Sequence, residues 1–324
     1  MLKLFRLLVI GGAFALLAHP ALGQQAYPAR PVKILVGFPP GGGLDFTTRL
    51  IAPYLSEGLG QPVIVENKPG AAGVLALAEV ARSAPDGYTL IVGNIGPLAL
   101  APNMMARPPY DPVKDFTAIG QVVATYFVAV APAGLPVGNL REFFEWAKKN
   151  DGKVNCASGG NGSITHMNCV LLNQVGGINA EHVPYKGTAP AVADLIAGQT
   201  QVLIDILSVL GPQVKGGKLK ALAVATPARD PEFPDVPTMR EAGYAQLETL
   251  GWQGLIGPAG MPREIVARLA AELKKTLARP EVRERFARAG TPVFERGPEE
   301  FAAFIKAENE RWLPVIRTSG AKIE

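Results

Sequence analysis

The chain has 324 residues, of which 48% are hydrophobic and 19% charged. This composition provides for two domain-sized hydrophobic cores and excludes a disordered polymer. Three His and two Cys argue against a zinc module, a disulfide-dense scaffold and a His-rich metal site. The net charge of +4 includes no polybasic run, so nucleic acid is not an expected partner.

Residues 1–23 have the pattern of a secretory signal peptide. Two basic residues open the segment, and an apolar run over 7–18 follows. Small residues at Ala21 and Gly23 fit the positions before a cleavage site ahead of Gln24. The run is short for a membrane-spanning helix, so a retained anchor is the disfavoured alternative. We therefore expect a cleaved, periplasmic protein.

Strand patterns alternate with helical patterns after the signal segment. Apolar runs predict strands over 32–38, 62–66 and 88–93, with helices over 46–59 and 71–82 between them. This alternation is typical of a parallel sheet that is covered on both faces.

A long Val- and Ala-rich segment over 119–131 predicts a strand that passes from one sheet into another. A second alternation of strands and helices follows it. Beyond residue 226, a Pro-rich loop is expected, and then a mostly helical segment with an apolar residue at every fourth position from Ile265 to Leu277. We therefore expect an α/β protein in which lobe 1 comprises residues 24–124 and 227–324, and lobe 2 residues 125–226.

The strongest local motif is GFPPGGGLD at residues 37–45, between a predicted strand and a predicted helix. Three consecutive glycines let backbone N–H groups approach a ligand without interference from a Cβ atom. The helix N-terminus adds unpaired donors and partial positive charge. The motif is neither a Walker loop nor a dinucleotide fingerprint, and a simple tight connection is an equal alternative. Asp45 is expected to brace the helix start rather than to catalyse.

The second lobe repeats this arrangement in the motif SGGNGS at residues 158–163. Ser163 or Thr165 is placed to cap the helix that follows. Neither turn contains Lys or Arg, so an anion would be bound by main-chain N–H groups and hydroxyls. Together the two turns predict a carboxylate ligand in a cleft between the lobes.

Seven short motifs follow one another along the chain after the signal segment: GFPPGGGLD (37–45), ENKPGAAG (66–73), DGYTL (86–90), PYKG (184–187), GKLKALAV (217–224), DVPT (235–238) and EAG (241–243). This ordered series resembles the Bug/TctC family of extracytoplasmic solute receptors, which serve tripartite tricarboxylate transporters. The resemblance covers essentially the whole chain beyond the signal segment.

The resemblance implies a two-lobed periplasmic-binding-protein fold, type II-like, with two crossing strands and a ligand cleft between the lobes. It implies that the protein captures a carboxylated small molecule and delivers it to membrane permease subunits. No catalysis, cofactor or metal is implied, and we expect a monomer.

The resemblance also implies which residues contact the ligand. The two turns would grip one carboxylate, partly through ordered waters, with contacts at Phe38, Pro40, Gly41, Gly42, Gly43, Ser158, Gly159, Gly162 and Ser163. Distal contacts are implied at Asn94, Tyr185, Thr188 and Asp205. His166 matches a family position, although a helix residue bonded to nearby backbone is the favoured interpretation. Asp205 either has a buried partner or meets a ligand amine or hydroxyl.

Cys156 and Cys169 are not required by the family. Cys156 lies near the end of its predicted strand, and Cys169 lies in the second turn of the next helix. Rises of about 3.3 Å per strand residue and about 1.5 Å per helical residue place both at a similar depth below the second glycine turn. Because an exported protein meets an oxidising compartment, this favours a disulfide over two free thiols.

Two other functions remain open from the sequence. A receptor with the same cleft could present its liganded form to a sensor kinase, and the sequence does not separate this output from transport. A hydrolase using Ser163 and His166 is the third alternative. The two residues share one helix face, but no GxSxG elbow or orienting acid accompanies them.

Overall fold

A computed structural model of the protein describes residues 27–322. The predicted signal peptide, residues 1–23, lies outside the described residues. Within residues 27–322, no helix has both the length and the apolar character that crossing a membrane requires.

The strands and helices alternate much as the sequence predicts. The strands are β1 (Val32–Val36), β2 (Val63–Asn67), β3 (Thr89–Asn94), β4 (Phe116–Pro132), β5 (Asn155–Ser158), β6 (Glu181–Pro184), β7 (Leu203–Ile206), β8 (Leu219–Val224), β9 (Leu250–Pro258) and β10 (Val293–Arg296). The α-helices are α1 (Gly43–Leu59), α2 (Val74–Ala81), α3 (Ala101–Met104), α4 (Leu140–Lys149), α5 (Ile164–Gly176), α6 (Thr188–Ile196), α7 (Leu207–Lys215), α8 (Arg263–Ala278), α9 (Pro280–Arg288) and α10 (Pro298–Ser319).

The first sheet has the strand order β10-β4-β9-β3-β1-β2. β1 pairs in parallel with β2 and β3, whereas β9 runs antiparallel to both β3 and β4. β4 therefore runs in the same direction as β1, β2 and β3. The sheet is buried on both sides, because Ile34 and Leu35 of β1 belong to two different hydrophobic clusters.

Strand β4 is 17 residues long and takes part in two sets of strand pairs. Its first part, ending at Tyr126, pairs with β9 and β10. Its last part, from Phe127, pairs with β7 and β8. Alternate residues of the last part face different cores: Phe127 belongs to one hydrophobic cluster and Val128 to another. This continuous strand is the passage between sheets that the sequence predicts.

The second lobe is built on the strands beside the last part of β4. β5 and β6 are parallel, and a parallel bridge between Cys156 and Val202 connects β5 to the start of β7. After β8, the chain stays beside that strand, because Val224 forms a parallel bridge with Thr238. The lobe boundaries at 124/125 and 226/227 stay a prediction.

The segment beyond residue 226 differs from the prediction in one respect. The apolar stripe of α8 is confirmed, since Leu269, Leu273 and Leu277 are buried. The segment also contains strands β9 and β10, in a region that the sequence pattern predicts to be mostly helical. β9 carries Gly251, Gly254 and Gly257, and glycine is unusual inside a strand.

Candidate functional site

Both glycine turns follow the carboxyl ends of parallel strands. Residues 37–42 connect β1 to α1, and residues 159–163 connect β5 to α5. Asn67 and Asn94 end the strands on either side of β1. In α/β proteins, this edge of a sheet is where ligands bind.

The strand registers place the carboxyl edges of both sheets beside the same stretch of β4. In the first sheet, Gln253 of β9 lies opposite Asn94, the last residue of β3, and opposite Val123 of β4. In the second, Asp205 of β7 lies opposite Val128 of β4. Five residues of extended strand span about 16 Å. The carboxyl edges of the two sheets therefore approach β4 from opposite directions, with a small-molecule-sized interval between them.

Asp45 braces the first glycine turn from inside the protein. It is only 5% exposed. Its carboxylate accepts hydrogen bonds from the Gly41 N–H (2.9 Å), Asn67 Nδ2 (2.9 Å) and Arg49 Nε (2.9 Å). Burial raises the pKa of Asp45, but the hydrogen bonds from Gly41, Asn67 and Arg49 outweigh it, so that its pKa is lowered. Asp45 thus has the structural role that the sequence favours.

The N-terminus of α1 is open to a ligand. Gly42 is its N-cap, and no side chain caps the helix. Within residues 27–322, the N–H groups of Gly43 and Leu44 have no hydrogen-bond acceptor, as is usual for a first helical turn. Pro40 and Gly41 to Gly43 are exposed, and Phe38 is half-buried. This helix start can bind an anion through backbone donors.

The second turn uses its backbone donors differently. The N–H groups of Gly159, Gly160 and Gly162 donate to Thr165 Oγ1 (2.8 Å), Ser158 Oγ (3.1 Å) and His166 Nδ1 (3.2 Å), respectively. Ser158 is fully buried. These glycine donors are occupied in the structure. The Ser163 hydroxyl is occupied as well, because it donates to the Gly160 carbonyl and, as the N-cap of α5, accepts the His166 N–H. What the second turn offers a ligand is the N–H groups of Ile164 and Thr165, which have no acceptor within the described part of the chain.

A pair of stacked histidines lies behind this turn. The rings of His166 and His182 are 3.8 Å apart and nearly parallel, at 8°. His182 Nε2 lies 2.6 Å from Ser158 Oγ. Burial lowers the pKa of both histidines, and the neighbouring His166 contributes to lowering that of His182 to about 4. His182 was not among the residues predicted for the site, because nothing in the sequence places it near His166.

The geometry does not assemble the Ser163–His166 hydrolase site. Ser163 Oγ donates to the Gly160 carbonyl (2.6 Å) and contacts Thr165 Oγ1 (2.8 Å). The Nδ1 atom of His166 accepts the Gly162 N–H instead of a serine proton. His166 is therefore a helix residue bonded to nearby backbone, as the sequence favours.

Asp205 has its partners inside lobe 2. Thr188 Oγ1 donates to one carboxylate oxygen (2.7 Å) and the Ile206 N–H to the other (2.7 Å). Asp205 is 2% exposed, and burial raises its pKa against the effect of these two bonds. Tyr185, which follows β6, donates its hydroxyl to Asp194 (2.7 Å). Their contacts with a ligand stay a prediction.

Gln253 is a polar residue of this region that was not predicted from the sequence. Its side chain is beside α1, because a Cβ atom on Gly43 would lie 3.8 Å from Gln253 Nε2. The side-chain oxygens of Gln253 and Asn94 are both buried without a hydrogen-bond partner among the described residues. The missed strand β9 is the reason that Gln253 was not considered.

Cys156 and Cys169 form a disulfide beneath the second turn. The S–S distance is 2.01 Å and the Cα–Cα distance 5.9 Å. Both residues are buried. The bond joins β5 to α5, the two elements that hold the turn. Within the described residues, no group of three or more His, Cys, Asp or Glu side chains is arranged to hold a metal ion.

Comparison with known proteins places this fold and site in a family. Residues 47–321 match the family described as "Tripartite tricarboxylate transporter family receptor", TctC. The chain is 35% identical to Protein BugT of Bordetella pertussis, over 100% of both chains. The chain therefore belongs to the TctC family of transporter receptors.

Solved structures agree with this assignment. MatC from Rhodopseudomonas palustris with bound malate is 36% identical, with a TM-score of 0.73, over 90% of this chain and 100% of that one. A TctC solute-binding protein from Polaromonas is 29% identical, with a TM-score of 0.81, over 90% of this chain and 99% of that one. The fold is accordingly the two-lobed α/β fold of periplasmic binding proteins.

Proposed function

We propose that this protein captures a small carboxylate between its two glycine turns and delivers it to the permease subunits of a tripartite transporter. The observation that carries the proposal is the pair of helix N-termini, α1 and α5, at carboxyl edges that approach the same stretch of β4. Backbone N–H groups in such positions stabilise an anion without a Lys or Arg side chain. Malate in the related MatC structure is an anion of this kind.

The proposed ligand contacts are those implied by the family resemblance. In lobe 1 they are Phe38, Pro40, Gly41, Gly42, Gly43 and Asn94. In lobe 2 they are Ser158, Gly159, Gly162, Ser163, Tyr185, Thr188 and Asp205. Because Ser158, Ser163 and the glycine donors of lobe 2 already have partners inside the turn, we expect them to shape the site, while the N–H groups that start α5 provide the direct donors.

Export to the periplasm is part of the proposal. The signal-like pattern of residues 1–23 and the disulfide support it, since disulfides persist in oxidising compartments. The protein would bind its ligand there as a monomer, close its lobes by a hinge motion, and dock on the permease. Signalling is the alternative to transport: the ligand-bound form would contact a sensor kinase. No specific observation supports this alternative.

Thermal unfolding with a panel of carboxylates tests the binding proposal. At a concentration one hundred times its Kd, a ligand stabilises the folded state by about 2.7 kcal/mol, which raises the Tm by several degrees. The panel should contain mono- and dicarboxylates, hydroxy acids, amino acids and aromatic acids. No stabilisation by any of them would contradict the proposal.

A glycine variant connects the binding to the first turn. Gly43→Ala adds a Cβ atom at the start of α1, at an ordinary contact distance of 3.8 Å from Gln253 Nε2, so that the fold is kept. The added methyl group would occupy space beside the backbone donors and move the ligand carboxylate away from them. We therefore expect carboxylate binding to weaken at least about tenfold, as for the loss of one charge-assisted hydrogen bond. Gly134→Ala, where an added Cβ meets nothing within 4 Å, is the matched control and should bind normally.

A further inference from the structure

We propose that Gln253, together with Asn94, selects ligands that carry a hydroxyl or carboxamide group in addition to the carboxylate. This inference rests on the proposed function, because it concerns the same cleft.

The two amides lie side by side at the carboxyl edge of the first sheet. Asn94 and Gln253 are opposite each other in the β3–β9 register. Gln253 is 9% exposed, and its Nε2 atom lies beside Gly43, the first residue of α1. The pair is thus next to the backbone donors proposed to hold the carboxylate.

Neither amide oxygen is used by the protein itself. Among the described residues, the oxygens Asn94 Oδ1 and Gln253 Oε1 are buried and have no hydrogen-bond partner. Several other amide oxygens are engaged: Asn67 Oδ1 accepts from Arg49, Asn173 Oδ1 from the Ala180 N–H, and Asn309 Oδ1 from Asn103. Asn168 Oδ1 on α5 is a further buried oxygen without a partner among the described residues, apart from this pair. An unpaired buried acceptor destabilises the folded protein, so two of them at opposite positions of paired strands point to a group supplied from outside.

The chemistry of the amides defines that group. Each primary amide has an acceptor oxygen and a donor nitrogen. A second carboxylate only accepts hydrogen bonds and would leave both oxygens unpaired, while an alkyl chain would leave all four polar atoms unpaired. A hydroxyl or carboxamide both donates and accepts, and therefore satisfies the pair. Sites built to hydrogen-bond such a group discriminate strongly against analogues that lack it.

Matched ligand pairs test the inference on the wild-type protein. Calorimetric titration with L-malate against succinate, and with 3-hydroxybutyrate against butyrate, compares acids that differ in one hydroxyl. The ligand hydroxyl adds one hydrogen bond and gives a partner to one amide oxygen that otherwise has none. We therefore expect the hydroxy acid of at least one pair to bind about tenfold or more tightly than its partner acid. Equal binding within both pairs, or tighter binding of the acids without the hydroxyl, would overturn it.

Gln253→Met assigns the discrimination to this residue. Methionine keeps the length of the side chain and removes its polar end, so the affinity ratio within the discriminating pair should fall toward one. Gln246→Met replaces an exposed glutamine of the same region and should leave the ratio unchanged. If Gln253→Met is too unstable to titrate, Asn94→Ser should lower the same ratio. An unchanged ratio in the Gln253 or Asn94 variant would contradict the inference.

The outcomes separate this inference from the function on which it rests. If no acid of either pair binds, and the wider carboxylate panel also fails to stabilise the protein, the proposed function fails. If carboxylates bind but the hydroxyl has no effect in any pair, only the role assigned to Gln253 and Asn94 fails.

Discussion

At the scale of single residues, the most informative groups are the two histidines behind the second turn. His166 Nδ1 accepts the Gly162 N–H, and this bond requires an unprotonated Nδ1. His182 is stacked against the same ring, so that protonating both would place two positive charges in contact. The turn is therefore held in its observed shape by neutral imidazoles.

This arrangement predicts that stability falls as the pH is lowered below about 6.5. The pKa of His182 is lowered to about 4 from 6.5, mainly by burial, and that of His166 is lowered as well. Between about pH 6.5 and pH 4 the unfolded chain binds more protons than the folded protein. The contribution of the neutral histidines to the free energy of unfolding is therefore complete above about pH 6.5 and is lost toward pH 4. Urea unfolding at about pH 7.5, pH 6 and pH 5 should show a declining midpoint.

The variant His182→Gln checks the assignment. Glutamine retains a hydrogen-bonding group near Ser158 but does not titrate, so the decline in unfolding midpoint between about pH 7.5 and pH 5 should be smaller than in the wild type. Parallel declines in the two proteins would show that His182 is not the group responsible.

Residue-level roles could be predicted only where the partner is close in sequence. Asp45 accepts from Gly41, four residues away, and the sequence was sufficient to favour a bracing role. The contact of Ser158 with His182 crosses 24 residues and depends on β5 pairing with β6. A single sequence does not carry such a register.

At the scale of elements, the disulfide between β5 and α5 is the part of the site that could best be predicted from the positions of two residues in the sequence. Depth along a strand and along a helix follows from fixed rises per residue, so the Cys pairing could be favoured from sequence spacing and the oxidising compartment. The bond spans 13 residues, and closing a loop of this size stabilises a protein by about 3 kcal/mol in the chain-entropy model.

Removing the disulfide should therefore have a measurable cost. We expect Cys156→Ala/Cys169→Ala to lose about 3 kcal/mol of unfolding free energy, measured by urea denaturation, and to weaken carboxylate binding by loosening the second turn. A reductant should lower the midpoint of the wild type and leave that of the variant unchanged. Two free thiols in unreduced periplasmic protein would contradict the pairing.

Strand β9 shows why one element was missed. Its glycines leave room for other side chains: a Cβ atom on Gly254 would lie 2.3 Å from the Phe301 ring, and one on Gly257 would lie 2.3 Å from the Met261 sulfur. The packing partners come from α10 and from the connection before α8. These glycines make room for side chains that are distant in sequence, but in the sequence alone glycines indicate a loop. Because β9 was not predicted, Gln253 was not predicted to lie at the site either.

At the scale of the whole molecule, the alternation of strands and helices predicted an α/β protein with two lobes, and the family assignment agrees. The segment 119–131 was correctly predicted to pass between sheets. What the pattern did not provide was the antiparallel insertion of β9 between β3 and β4, because strand order depends on long-range pairing rather than on local periodicity.

Beside β4 lies an opening that is separate from both glycine turns. A cavity of about 880 Å³ is lined by Tyr126 of β4, by Leu207 and Ser208 of α7, and by Arg288 at the end of α9. Neither glycine turn contributes to it. It is therefore a structural alternative to the proposed ligand position, and a bound structure distinguishes the two.

A crystal structure of residues 24–324 with the carboxylate that stabilises the protein most is the most direct test of the proposed binding mode. We predict a ligand carboxylate between the lobes, with its oxygens within hydrogen-bonding distance of the N–H groups that start α1 and of the N–H groups that start α5. A carboxylate bound to one lobe only in a closed protein, or one seated in the cavity beside Tyr126, would contradict it.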